Sequence, residues 1–178
     1  MKSLLFTLLL VVSFSVKAQN NAFKVNPLGF ANNGFELSFE SHEPNSSHSA
    51  ELLIAYASSK SNDGGSNLNA YMMELRYKFY VAATPSTFKG LYVAPVGSYG
   101  EARRKSSNRN YANEKANIAA LGVLLGYQWK ITIAQHNAIL IDTHLGFSYY
   151  FTKSTPTLND ENSKGVKGRY GISVGYAF

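Results

Sequence analysis

The feature that most constrains this chain is the strict alternation of large and small side chains over residues 170–178. The large apolar side chains occupy every second position: Tyr170, Ile172, Val174, Tyr176 and Phe178. The residues between them are only glycine, serine or alanine. Alternation with a period of two predicts a β-strand with two different faces. Such a strand needs a cover for its apolar face, which is either a protein core or lipid.

Seven earlier segments repeat the alternation, and polar or turn-forming residues separate them. They are predicted as strands at Ala22–Gly29, Gly34–Ser41, Ala50–Ala57, Leu68–Val81, Gly90–Tyr99, Ile118–Ile131 and Ala138–Phe151. The apolar face of all eight segments carries no Asp, Glu, Lys or Arg. Consecutive strands joined in this way favour antiparallel neighbours that close into an up-and-down barrel.

The first residues have the composition of an export signal. Lys2 supplies a positive start, Leu4 to Phe14 are mostly apolar, and Val16 to Ala18 form a small-residue cleavage site. We predict a signal peptide at residues 1–18 and a barrel domain at residues 19–178. The apolar segment is shorter than the ~20 residues that a spanning helix needs. The chain has no cysteine, which excludes disulfides and thiolate chemistry.

Connection lengths and aromatic positions indicate which face of the barrel points inward. Long polar segments at residues 58–67, 101–117 and 152–167 are predicted at one end, and short turns at the other, as in outer-membrane barrels. Aromatic residues near strand ends suit the girdles of such a barrel. The predicted aromatic girdle comprises Tyr71, Phe79, Trp129, Tyr149, Tyr170 and Phe178. The sequence therefore predicts an all-β, eight-stranded antiparallel up-and-down transmembrane β-barrel in the cell outer membrane.

The opposite face of the strands carries charges of both signs, which would converge in the lumen. The predicted lumen charge network comprises Glu36, Glu74, Arg76, Lys78, Asp142, His144 and Arg169, with Glu40, Glu51 and Lys130 on the same face. An eight-stranded barrel has space for side chains but not for an aqueous channel. We therefore expect the charges to pair and to plug the lumen, and a proton or small-ion path is the alternative.

Catalysis and metal binding have weak signals. Asp142 and His144 share one strand face, and Ser148 or Ser173 could complete a hydrolase triad. Both groups would face a packed lumen, so we expect a hydrogen-bonded histidine and no enzyme activity. The four histidines lack metal-ligand spacing, and neither a metal nor a cofactor is expected.

The basic segment within residues 101–117 is a candidate for binding phosphate. Arg103, Arg104, Lys105 and Arg109 could hold the phosphates of lipopolysaccharide, because arginine binds phosphate through two hydrogen bonds. A solvated loop, or a loop that binds a surface ligand, are the alternatives. The net charge of +6 does not form a stripe with interleaved aromatic residues, so nucleic acid is not expected. The expected partners are outer-membrane lipid, lipopolysaccharide and the insertion machinery, with the protein itself a monomer.

Short motifs also resemble a known family. The opening segment from Lys24 to Gly29, the strand from Phe35 to Glu40 and the segment from Gly90 to Pro95 are similar to the DUF3575-type barrels of Bacteroidota. The resemblance extends over the chain after the signal and implies a small outer-membrane barrel without an established activity. Tyr176 and Phe178 fill the aromatic positions of the terminal signal read by the insertion machinery, and Gly171 and Ser173 match it less well.

Three functions are compatible with these patterns. The first is a structural or surface-interaction protein of the outer membrane with a plugged polar lumen. The second is a narrow ion or solute channel through the same lumen. The third is a secreted soluble barrel that binds a lipophilic ligand.

Overall fold

A computed structural model of the chain describes residues 20–28, 33–43, 46–60, 66–81, 88–106, 114–134, 137–154 and 163–178. The strands are β1 (Asn21–Val25), β2 (Gly34–His42), β3 (His48–Lys60), β4 (Ser66–Tyr80), β5 (Gly90–Ser106), β6 (Glu114–Ala134), β7 (Asn137–Ser154) and β8 (Ser163–Ala177). Each pairs antiparallel with the next, and β8 pairs with β1. The prediction of an all-β, eight-stranded, up-and-down barrel is therefore confirmed. The predicted signal at residues 1–18 lies outside the described residues.

Most strands extend further than predicted at the end away from the termini. Strand β5 continues to Ser106, β6 begins at Glu114, and β8 begins at Ser163. Much of the predicted loops at residues 101–117 and 152–167 is therefore strand, and those predictions are wrong in this part. An antiparallel ladder depends on backbone hydrogen bonds, so it continues into polar segments where side-chain alternation no longer marks it.

Strand β1 is the shortest and ends at Val25. Pro27 follows closely, and proline has no N–H to give to a ladder. Within the described residues, β8 pairs with β1 only through Val174–Ala177, whereas its ladder with β7 runs from Ser163 to Ala177. Asn33 has a φ of 55°, and Gly34 then begins β2. Asparagine tolerates a positive φ better than most residues, which suits this position before the strand.

The pairing registers show how strongly the strands are staggered. From Val25, successive partners around the barrel are Leu37, Ile54, Met73, Tyr99, Ala119, Phe151 and Lys164. Val25 itself pairs with Val174 of β8, ten residues from Lys164. In a barrel of eight strands this stagger corresponds to a tilt of roughly 40° and to an interior just large enough for side chains.

Burial alternates along the strands, and the two faces are unlike. The inward face holds the charged residues together with small and a few large apolar ones. The outward face carries exposed apolar side chains on all eight strands, including Leu75, Leu121 and Leu145. Within the described part of the chain, no helix is long and apolar enough to cross a membrane.

Candidate functional site

The centre of the lumen holds two lysines that share one carboxylate. Lys24 comes from β1 and Lys78 from β4, and both side chains are buried. Their Nζ atoms lie 2.8 Å and 2.6 Å from Oδ2 of Asp142 on β7. Strands that are far apart in sequence therefore meet at one point of the lumen. Two ammonium groups repel each other. Both can bind the same carboxylate oxygen here because further carboxylates surround them.

Glu40 of β2 and Glu51 of β3 complete this central cluster. Lys78 Nζ lies 3.1 Å from Glu40 Oε2 and 2.9 Å from Glu51 Oε2. Lys24 forms a close ion pair with Glu40, and its Nζ lies 3.4 Å from Glu51 Oε1. Carboxylate oxygens of Glu40, Glu51 and Asp142 lie within 4.8 Å of one another, a spacing that could hold a metal ion. The two ammonium groups already neutralise that acidic centre.

Neutral groups occupy the remaining positions around these charges. The Tyr92 hydroxyl donates to Asp142 Oδ1 at 2.6 Å, and the Tyr80 hydroxyl donates to Glu40 Oε1 at 2.9 Å. Both lysines donate to Gln128 Oε1, at 3.0 Å from Lys24 and 3.1 Å from Lys78. Hydrogen bonds from hydroxyls and amides reduce the penalty of burying charge away from water.

A glycine on β6 creates the space for one of these contacts. A Cβ atom at Gly126 would collide with the ring of Tyr92. Without that atom, the ring lies across β6, reaches Asp142 and sits 4.7 Å from Lys78 Nζ. The attraction between the ammonium and the ring adds to the ion pairs.

A second group of charges lies nearer the end of the barrel away from the termini. Arg76 donates from Nε to Glu74 Oε1 at 2.6 Å. Arg169 of β8 donates from Nη2 to Glu74 Oε1 at 2.9 Å, and its Nη1 lies 2.7 Å from Glu74 Oε2. Arg76 Nη2 also lies 3.8 Å from Glu36 Oε1, and its Nη1 lies 3.7 Å from Glu51 Oε2. The contact with Glu51 links this second group of charges to the central cluster.

His144 lies between the two groups of charges. Its Nδ1 atom is buried without a hydrogen-bond partner among the described residues, and so is the hydroxyl of Ser173. No hydrogen bond joins His144 to Asp142 in the described part, where Asp142 is instead engaged by Lys24, Lys78 and Tyr92. The arrangement therefore lacks the oriented carboxylate–histidine–nucleophile geometry that a hydrolase needs.

Apolar side chains fill the lumen toward the end that carries the termini. Phe88, which precedes β5, is buried in a cluster with Ala22, Ala138, Leu140 and Ala177. His42 packs against it, with ring centroids 5.2 Å apart. A further cluster lies beside the ions and comprises Tyr80, Tyr92, Ala94, Val96 and Leu124. The described lumen therefore carries charged groups in its centre and apolar groups at this end.

The predicted lumen residues all lie on the inward face, and the network is larger than predicted. Glu74, Arg76, Lys78 and Asp142 are buried, while Glu36 and Arg169 are partly exposed. The predicted network omits Lys24, Tyr92 and Gln128, which are central to it. The alternation of Phe23 and Val25 around Lys24 is the signal that could have found this lysine. Tyr92 and Gln128 carry no charge and give no such signal.

The predicted girdle residues lie on the outer wall or at its edge. Phe23 contacts Phe178, with ring centroids 5.7 Å apart, and Tyr149 contacts Phe151 at 4.8 Å. Phe79 contacts Tyr77 at 4.9 Å, Trp129 contacts Tyr127 at 4.6 Å, and Tyr71 contacts Tyr56 at 5.0 Å. Tyr170 is the exception, because it is not near a strand end. Strand β8 extends seven residues further, to Ser163.

The predicted phosphate-binding residues do not form a loop. Arg103, Arg104 and Lys105 belong to strand β5, and Arg109 lies outside the described residues. Arg103 is on the outward face, where its Nε forms a close ion pair with Glu101. Residue alternation places position 104 on the inward face. Among the described side chains, Arg103 and position 104 therefore lie on opposite faces of β5.

The closed ring of eight antiparallel strands defines a small β-barrel. The chain belongs to the family described as "Protein of unknown function (DUF3575)", whose match covers residues 4–155. The predicted resemblance to this family is confirmed. Comparison with curated proteins and with solved structures gave no significant match.

Proposed function

We propose that this chain is an outer-membrane protein with a lumen closed by its own side chains, and that its role is structural or a surface interaction. The observation that carries the proposal is the apolar band, which is the set of exposed apolar side chains around a charged interior. Soluble monomers rarely expose a contiguous apolar patch larger than a few hundred Å². In a lipid bilayer the apolar band would be buried, as in bacterial outer-membrane barrels.

Backbone satisfaction supports the same proposal. Lipid offers no partners for N–H and C=O groups, so spanning β-strands must close into a barrel. The strands of this chain do close, and six of the eight adjacent pairs form ladders of nine or more residue pairs. The predicted export signal at residues 1–18 would bring the chain to the periplasm, where the insertion machinery acts.

The filled interior favours a closed lumen over a channel. Two lysines and three carboxylates meet in the centre, and Phe88 and Leu140 pack below them. A lipophilic ligand would have to displace these groups, which also disfavours a soluble carrier. The same packing supports the proposal that the protein is not an enzyme.

Heat-modifiable mobility tests the membrane assignment. The mature protein should migrate faster on a denaturing gel before boiling than after it, since a closed barrel resists the detergent until heated. It should also be recovered only with detergent. Recovery from the periplasm or medium without detergent would make the soluble alternative correct.

A pair of variants tests which face meets lipid. Leu125→Arg puts a charge on the outer wall, where the penalty near the bilayer midplane is about 2–4 kcal/mol, and should impair insertion into vesicles. Arg76→Leu changes the lumen and should insert normally, although with lower stability. Equal insertion of both variants would contradict the proposed orientation.

Conductance measurements distinguish the closed lumen from the channel alternative, because discrete channel events would show that the lumen opens.

A further inference from the structure

The outer wall carries a row of basic side chains beyond the apolar band. We call it the basic belt, and it comprises Arg103 of β5, Lys115 of β6, Lys153 of β7 and Lys164 of β8. All four are exposed. Alternation puts them on the same face as the outward tyrosines, since Arg103 is four residues beyond Tyr99 and Lys153 four beyond Tyr149.

The pairing registers make this row continuous. Arg103 lies directly opposite Lys115. Lys153 lies opposite Asn117, so it is a diagonal neighbour of Lys115, and Lys164 lies opposite Phe151, so it is a diagonal neighbour of Lys153. Diagonal neighbours across a sheet are separated by roughly 7–8 Å. Four adjacent strands therefore present basic groups at one level of the barrel.

The level of the belt corresponds to lipid headgroups. Four residues along a strand correspond to about 13 Å, and the tilt of the strands reduces this to roughly 10 Å along the barrel axis. Aromatic girdles mark the edge of the hydrocarbon, and the polar headgroups occupy the next several ångströms. The belt is therefore placed where phosphate groups would lie, provided that the barrel spans a membrane.

Among the described residues, one carboxylate lies between two members of the belt. Like charges directly opposite each other destabilise a sheet, as Arg103 and Lys115 would. Glu101 lies between them, with Lys115 Nζ 2.5 Å from its Oε2 and Arg103 in a close ion pair. Within the described residues, no carboxylate forms a salt bridge with Lys153 or Lys164.

Strand β4 carries a neutral residue beside the belt. Directly opposite Arg103 on β4 lies Asn69, which is uncharged. Among the described outward residues at this level, those of the belt on β5–β8 are basic and Asn69 on β4 is neutral. The four basic groups outnumber the one carboxylate described among them, and this excess of positive charge suits an anionic ligand that approaches from the membrane.

We propose that the basic belt binds the phosphate groups of a phosphorylated membrane lipid, with lipid A of the outer leaflet as the expected occupant. The inference rests on the proposed membrane role and identifies a lipid partner and the face that meets it. Arginine and lysine form charge-assisted hydrogen bonds with phosphate. The sequence predicted phosphate binding by Arg103, Arg104, Lys105 and Arg109. The basic belt shares only Arg103 with that prediction.

Lipid binding in detergent micelles tests the inference separately from insertion. The probes are bisphosphorylated lipid A and dephosphorylated lipid A with the same acyl chains, measured by native mass spectrometry. Wild-type protein should bind the phosphorylated form about tenfold more tightly or better, since each basic group near a membrane surface adds measurable attraction. The fourfold variant Arg103→Gln, Lys115→Gln, Lys153→Gln, Lys164→Gln should lose this preference.

A matched variant changes the opposite face of the same two strands. Arg104→Gln with Lys167→Gln removes two charges that alternation assigns to the inward face of β5 and β8, and this variant should keep the preference. Glu101→Gln should strengthen binding by about twofold, because it removes the acid that pairs with two belt residues. Heat-modifiable mobility of each variant verifies that the barrel is folded.

Three results would overturn the inference. Equal binding of the two lipids by wild type, or an unchanged preference in the fourfold variant, would show that the belt does not read lipid phosphate. Full competition by millimolar inorganic phosphate would indicate a site for free phosphate instead. Failure of wild type to insert into vesicles would overturn the proposed membrane role, and the micelle measurement would still decide whether the belt binds lipid A.

Discussion

Leu124 and Leu125 are neighbours on β6 and lie in opposite surroundings. Leu124 is 0% exposed inside the barrel, whereas Leu125 is 44% exposed on the outer wall. The same contrast separates the buried charges of Lys24, Lys78 and Asp142 from the exposed leucines outside. In a soluble protein the distribution of polar and apolar groups is normally the reverse.

The comparison shows where each face finds its partners. The ions of the inner face find their partners within the chain, because the charged groups, hydroxyls and apolar groups there contact one another. The outer face carries exposed apolar side chains, and under the proposed membrane role lipid would bury them. Mutations inside should therefore alter stability in any medium, and conservative mutations outside should have small effects in detergent.

Replacement of Lys78 by methionine should have the largest effect. It leaves three clustered carboxylates with Lys24 as their lysine partner, and removing one member of a buried ion pair typically costs about 3–5 kcal/mol. The free energy of unfolding, measured by denaturant titration in detergent micelles, should fall by this amount. Lys115→Met on the outer wall is the matched control and should alter stability far less.

A compensating substitution sharpens this test. Adding Asp142→Asn to Lys78→Met leaves Lys24 with Glu40 and Glu51 and reduces the excess of negative charge. The double variant should recover part of the lost stability. If Lys78→Met is as stable as wild type, Lys78 does not stabilise the cluster of carboxylates.

The leucine pair gives the next largest effect. Leu124→Ala should lower the free energy of unfolding by about 2–5 kcal/mol, because it opens a cavity beside Tyr92 in a filled interior. Leu125→Ala removes the same atoms from the outer wall and should cost less than about 1 kcal/mol in detergent. Similar losses for both variants would contradict the assignment of the two faces.

The sequence was sufficient to predict the barrel because alternation recurs on every strand. It also predicted the inward residues, since alternation fixes the face of each side chain. The strand ends were harder to predict. Beyond Tyr99 the chain becomes polar, and nothing in its composition distinguishes a paired hairpin from a loop, although the ladder continues to Ser106.

The composition of the ion cluster could not be predicted from alternation. Lys24, Lys78 and Asp142 come from β1, β4 and β7, and they meet because the strands are staggered by ten residues around the barrel. That stagger is a property of the closed sheet and not of any single strand. The same reason explains the basic belt, because Arg103 and Lys153 share a level only through the pairing registers.

Removal of one hydroxyl should give the smallest of these effects and tests the neutral partners of the cluster. Tyr92→Phe removes the donor to Asp142 and keeps the ring beside Lys78, so the free energy of unfolding should fall by about 1.5–3 kcal/mol, as for hydrogen bonds to charged groups. Tyr99→Phe changes an exposed tyrosine on the same strand and should have an effect within ~0.5 kcal/mol. Unfolding titrations of both variants in the same micelles provide the comparison. An equal effect at the two positions would mean that the ion pairs alone hold Asp142, and that the inner face depends on charge rather than on the complete set of hydrogen bonds.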